Sequence, residues 1–160
     1  MLLVIPLINS ARIPDPIFTE RTCWTNAYRI RIYGEFTCRS QPYNPQVSLI
    51  EHKGAHNGKL LIDKIKFLNG RKGTSNKILY NGRFNVTKIG EDFSVSVEVK
   101  HQCSRLRYDD SCSYSFGFNI PKSYIDCHGN EEAFLNFETI ELTDPQFQKG
   151  ESCIDFMIMI

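Results

Sequence analysis

A chain of 160 residues is long enough for one domain with a sizeable core, and its net charge of +1 supplies no global field for nucleic acid or an anionic membrane. Phe (11) and Tyr (7) are plentiful beside many Ile and Val, a composition that suits sheets more than helices. Six cysteines with no Cys-x-x-Cys pair argue for an oxidising compartment and against paired zinc ligands.

In chain order, "MLLVIPLINSA" (1–11) has an apolar run followed by Ser10 and Ala11, and reads as the end of a secretory signal peptide. No Lys or Arg precedes that run, so the signal is short or starts upstream; an N-terminal strand is the competing reading. Residues 12–26, with Pro14, Pro16 and Cys23, read as an extended arm. "YRIRIYGEFTC" (28–38) alternates, with Tyr28, Ile30, Ile32, Phe36 and Cys38 on one face, and predicts a half-buried strand. "VSLIEH" (47–52) predicts a shorter strand. "KLLIDKIKFL" (59–68) is ambiguous between strand and helix, because its apolar residues do not alternate. "KILYNGRFNVTKI" (77–89) reads as a hairpin turning at Asn81-Gly82.

"DFSVSVEVKHQC" (92–103) is the clearest strand. Phe93, Val95, Val97, Val99, His101 and Cys103 share one face. "CSYSFGFNI" (112–120) alternates again, with Cys112, Tyr114, Phe116, Phe118 and Ile120 inward and Pro121 ending it. "AFLNFETIEL" (133–142) predicts a last strand whose parity slips between Phe137 and Ile140, the signature of a bulge. Short strands without a long helix predict an all-β fold, an antiparallel sandwich of seven or eight strands spanning 27–145. Residues 146–160 form a C-terminal tail carrying Cys153.

The ordered set "YGEFTC" (33–38), "NGRFNV" (81–86), "VKHQC" (99–103), "FNIPKSYI" (118–125), "FETIELT" (137–143) and "GESC" (150–153) resembles the transthyretin-like family of secreted nematode proteins. The resemblance implies a prealbumin-like, disulfide-linked sandwich in an extracellular setting, with no defined catalytic activity. Departures are Phe36 in place of the usual Leu, a basic rather than acidic segment at 63–80, two cysteines (Cys23 and Cys127) beyond the family's four, and the apolar end "IDFMIMI".

Cys38, Cys103, Cys112 and Cys153 fall on the matched positions. Cys103 and Cys112 flank one loop and both point inward, so a Cys103–Cys112 bridge is expected; six cysteines allow fifteen pairings, and Cys38–Cys153 with Cys23–Cys127 rank first for the rest. His101 and Cys103 share a face, which admits a metal pair or an activated thiolate, but side chains two apart on a strand lie too far apart for an assured hydrogen bond. His101 is then either a structural histidine or a ligand contact at the sandwich end. The same broad fold supports hydroxyisourate hydrolase, which uses histidines, an arginine and a C-terminal Tyr-Arg-Gly-Ser tail. This chain ends "FMIMI", and His52, His56 and His128 form no set with His101, so no catalytic residue, metal or cofactor is assigned.

"NVT" (85–87) is a glycosylation sequon, and parity turns Asn85 to solvent. The acid pairs Asp109-Asp110 and Glu131-Glu132 read as solvated loops. Lys59, Lys64, Lys66, Arg71, Lys72 and Lys77 are opposed only by Asp63 within 59–77, so Lys64, Lys66, Arg71 and Lys72 are candidate contacts to an anionic lipid or acidic receptor; a solvated hairpin is the plainer reading. The expected protein is a secreted, non-catalytic binding protein, a monomer or weak oligomer, with no nucleic-acid partner and no membrane-spanning segment. A carrier of a small apolar ligand, in a cavity or at a subunit interface, is the alternative.

Overall fold

The computed structural model describes residues 20–56, 59–68, 73, 75–86, 88–105, 112–129, 134–149 and 152–153. The segment read as a signal peptide, Arg71, Lys72, Asp109-Asp110 and Glu131-Glu132 lie outside them. The chain is all-β. Its strands are β1 (Arg21–Thr22), β2 (Ala27–Cys38), β3 (Gln41–Pro42), β4 (Gln46–His56), β5 (Lys59–Phe67), β6 (Lys77–Asn85), β7 (Asp92–His101), β8 (Cys112–Asn119), β9 (Leu135–Glu141) and β10 (Ser152–Cys153). Single 3-10 turns occupy Lys122–Tyr124 and Pro145–Phe147. No helix among the described residues is long and apolar enough to cross a membrane.

One sheet runs β10-β8-β7-β4-β5, with β1 also on β7; the other runs β3-β2-β6, with β9 on the free side of β2. The pairs are antiparallel except β2 with β9, which is parallel and departs from the expected all-antiparallel sheet. The chain reaches β9 only after crossing over from the other sheet, so no hairpin dictates its direction. Alternation explains the packing. The inward set of β2 (Tyr28, Ile30, Ile32, Phe36, Cys38), that of β7 from Phe93 to His101, and that of β8 from Cys112 to Phe118 are all buried. Side chains from both sheets join one core, and burying each large apolar one contributes roughly 1.5–3 kcal/mol.

Three sequence expectations are refined or corrected. "KLLIDKIKFL" is a strand, because β5 pairs with β4 along its length. Asn81-Gly82 is not a turn: β6 passes straight through it, held in register against β2 from Lys77↔Glu35 to Asn85↔Ala27. Gly82 instead makes room on the inner face, since a Cβ there would collide with the Tyr80 hydroxyl. The slip in β9 is real: Glu138 adopts φ +56°, and Leu135, Phe137 and Ile140 all stay buried. Phe137 lies across Gly34, where any side chain on β2 would overlap its ring.

The disulfides also differ. Cys23 is bonded to Cys127, with Cα atoms 5.4 Å apart, and Cys38 is bonded to Cys103, at 5.9 Å. Cys103–Cys112 and Cys38–Cys153 are therefore corrected. Cys38 ends β2 in one sheet and Cys103 follows β7 in the other, so two inward-facing cysteines meet across the core. Cys112 is itself disulfide-bonded, and its backbone partner in the β8–β10 register is Cys153.

Candidate functional site

The candidate site opens where the edge strands of the two sheets, β5 and β6, face one another. On β4, alternation turns Val47, Leu49 and Glu51 towards the core, and register places Lys66 of β5 on the same face opposite Leu49. On the other sheet, Tyr28 and Phe84 are cross-strand partners facing inward, their rings stacked at 5.2 Å. A cavity of about 280 Å³ lies between these side chains, lined by Tyr28, Leu49, Glu51, Ile65, Lys66 and Phe84. Its lining is largely apolar.

Two polar features frame it. Glu51 is buried and accepts a hydrogen bond from the Tyr28 hydroxyl, which joins the sheets across the core. Burying a carboxylate is costly unless it is hydrogen-bonded, so this pair fixes both side chains. At the mouth, the Lys66 ammonium sits 5.4 Å from the Phe84 ring centre and 5.5 Å from that of Tyr80. A cation over aromatic faces gains about 0.5–1 kcal/mol at an exposed site. The lysine thus bridges the two sheet edges, and an inward-pointing charge on an edge strand also discourages pairing with another chain.

The residues singled out by sequence do not converge here. Among the described residues Lys66 of the basic candidates lines the cavity, and Lys64 occupies β5 opposite Glu51 in register. Asn85 ends β6, paired with Ala27 and exposed, the orientation that parity predicts. Tyr28, Leu49, Glu51 and Phe84 carried no functional flag in the sequence. No sequence signal marks them, because only the β4–β5 register brings Glu51 and Lys66 to one face. Among the described residues, no group of three His, Cys, Asp or Glu side chains is placed to hold a metal.

His101 lies elsewhere, at the end of β7. It is 4% exposed, stacked on Tyr114 at 5.4 Å and edge-on to Phe116 at 6.0 Å. Its Nε2 lies 3.0 Å from the Phe147 carbonyl, which can only accept, so Nε2 carries the proton. These contacts describe a histidine that ties β7 to the Pro145–Phe147 turn. Burial pushes its pKa below the ordinary 6.5, partly offset by the backbone of Phe147 and Cys103. Burial pushes His52 the same way.

The unfolded chain binds protons that the folded one resists, so this stability is full above about pH 6.5 and is lost as pH falls towards the lowered folded values. His101→Gln is expected to flatten the pH dependence of urea unfolding between about pH 7.5 and 5.5, while His52 contributes in the same direction in both proteins. Identical slopes for wild type and variant would remove His101 from this account. With this geometry in hand, comparison with known proteins adds no relative: the chain matches no family model, no curated protein and no solved structure.

Proposed function

We propose that the chain is a secreted, non-catalytic binding protein of the transthyretin-like type, carrying a small, mostly apolar ligand in the cavity between β4, β5 and β6. The cavity carries this reading. At about 280 Å³ it falls just below the roughly 300–1,000 Å³ of small-molecule pockets, which suits a compact ligand. Leu49 and Phe84 would supply apolar contact, the Tyr28–Glu51 pair a fixed polar end, and Lys66 a movable cover. The disulfides Cys23–Cys127 and Cys38–Cys103 and the even cysteine count support an oxidising compartment. The motifs behind the family resemblance fall on β2, β6, the end of β7, the segment after β8, and β9. The lipid-surface alternative loses support at Lys66, whose ammonium covers aromatic rings between the sheets.

The test uses N-phenyl-1-naphthylamine, whose fluorescence rises in apolar surroundings. Wild-type protein is expected to bind it saturably with one site. Phe84→Trp enlarges a half-buried wall residue and is expected to weaken binding at least about tenfold, with the thermal midpoint nearly unchanged. No saturable binding by wild type, or equal binding by both proteins, would overturn the carrier reading.

A further inference from the structure

A second cleft, of about 230 Å³, opens on the solvent-facing side of the four-stranded sheet, where β2 begins. Residues 25–29 form one wall and the loop 126–129 another, with Arg83 of β6 beside them. The walls are fixed. Arg29 and Asp126 exchange both backbone hydrogen bonds, at 2.8 and 3.0 Å. The Thr25 hydroxyl donates to the Cys127 carbonyl at 2.6 Å, and the Cys23–Cys127 disulfide ties the loop to the N-terminal segment.

The charges in this cleft are unusual for plain surface. Arg29 and Arg83 are direct cross-strand partners, so both guanidinium groups leave the same face of the sheet. Like charges directly opposite one another destabilise a sheet unless something anionic lies between them. Among the described residues, neither side chain makes an ion pair or a hydrogen bond. Arg29 is half-buried, which raises the cost of leaving it unanswered. Asp126 also lines the cleft, but its Oδ1 accepts from the backbone N–H groups of His128 and Gly129, at 2.9 and 2.7 Å. Those N–H groups are therefore spent, and among the described lining residues the cationic donors are the two guanidinium groups, beside the exposed Asn26 and His128.

We infer that this cleft binds a tetrahedral oxyanion, a phosphate or sulfate ester group on a small molecule, gripped by Arg29 and Arg83. Each guanidinium presents a planar fork that takes two oxygens. Two forks arriving from neighbouring strands need an anion with at least three free oxygens, which a phosphate or sulfate ester has and a carboxylate lacks. The site is separate from the inter-sheet cavity, so the two stand or fall independently.

The experiment follows backbone amide NMR shifts of the full chain during titration with inorganic phosphate, inorganic sulfate and acetate. Saturable shifts at residues 25–29 and 126–129 are expected with phosphate and sulfate, and weaker ones with acetate. Arg83→Gln and Arg29→Gln are each expected to lower phosphate affinity at least about tenfold. Lys77→Gln, on the same strand, removes equal charge and should change it little. Glucose 6-phosphate and glucose 6-sulfate distinguish the sources: tighter binding of one than of its inorganic ion supports the site and identifies the ester. Absence of saturable shifts, acetate binding as tightly as phosphate, or Lys77→Gln weakening binding as much as Arg83→Gln would overturn the inference.

Discussion

Removing the Cys38–Cys103 disulfide as the double variant Cys38→Ala, Cys103→Ala is expected to destabilise the fold by about 3 kcal/mol. The bond spans a sequence separation of 65, and chain entropy alone assigns a loop of that length roughly 4 kcal/mol. The loop is nested inside the one closed by Cys23–Cys127, so the unfolded chain is already restricted and the increment is smaller. Both sulfurs are buried between the sheets, so truncation to alanine adds a small packing loss. For a chain of this length, about 3 kcal/mol lowers the thermal midpoint by roughly 10 °C. Urea and thermal unfolding of the double variant measure this directly. Non-reducing peptide mapping of the wild-type protein is expected to return Cys23–Cys127, Cys38–Cys103 and a peptide joining Cys112 to Cys153. A Cys103–Cys112 peptide, or a loss under about 0.5 kcal/mol in the double variant, would show that the two sheets are not linked this way.

Much of this framework was legible as period-two alternation. The buried faces of β2, β7 and β8 could be read residue by residue, because a half-buried strand leaves a polar residue at every second place. The bulge in β9 was legible for the same reason, as a slip in that period. Three-dimensional adjacency was not legible. Cys103 and Cys112 are near in sequence, yet Cys38 meets Cys103 because β2 and β7 belong to opposite sheets whose inner faces touch. Asn81-Gly82 carries the local chemistry of a turn, but nine register pairs with β2 outweigh that preference. The cavity was hidden for a related cause. Glu51 and Lys66 look like ordinary solvated charges until β4 and β5 are known to pair with those residues facing the core side.

Glu141 shows the same limit and gives the other large expected effect. In sequence it is one acid in "FETIELT"; in the fold it clasps the end of β2. Its carboxylate accepts from the Thr37 hydroxyl (2.9 Å), the backbone N–H groups of Arg39 (2.8 Å) and Ser40 (2.9 Å), and both the N–H (3.2 Å) and hydroxyl (2.6 Å) of Thr143. Arg39 and Ser40 hold φ values of +51° and +62°, a left-handed turn that two non-glycine residues adopt at a cost. The carboxylate offsets that cost by receiving their two N–H groups together. From the same turn, Arg39 Nη1 donates to the Ser104 carbonyl at 2.9 Å, beside the Cys38–Cys103 bond. Burial alone would raise the Glu141 pKa, but the bonds from Thr143, Ser40 and Thr37 outweigh it and hold the group at about 2. A pKa below its unfolded value means stability that is complete above about pH 4.5 and is lost as pH falls towards 2. For a fully buried group a shift of this size corresponds to about 3 kcal/mol, and partial solvent exposure reduces it to about 1–2 kcal/mol. Glu141→Gln is expected to cost about 2 kcal/mol at neutral pH, since the amide keeps the shape but turns an NH2 group towards donors. Its unfolding free energy should then change less than that of wild type between about pH 5 and 2.5. If the two proteins lose stability in parallel over that range, the clasp owes its strength to packing rather than to the ionised carboxylate.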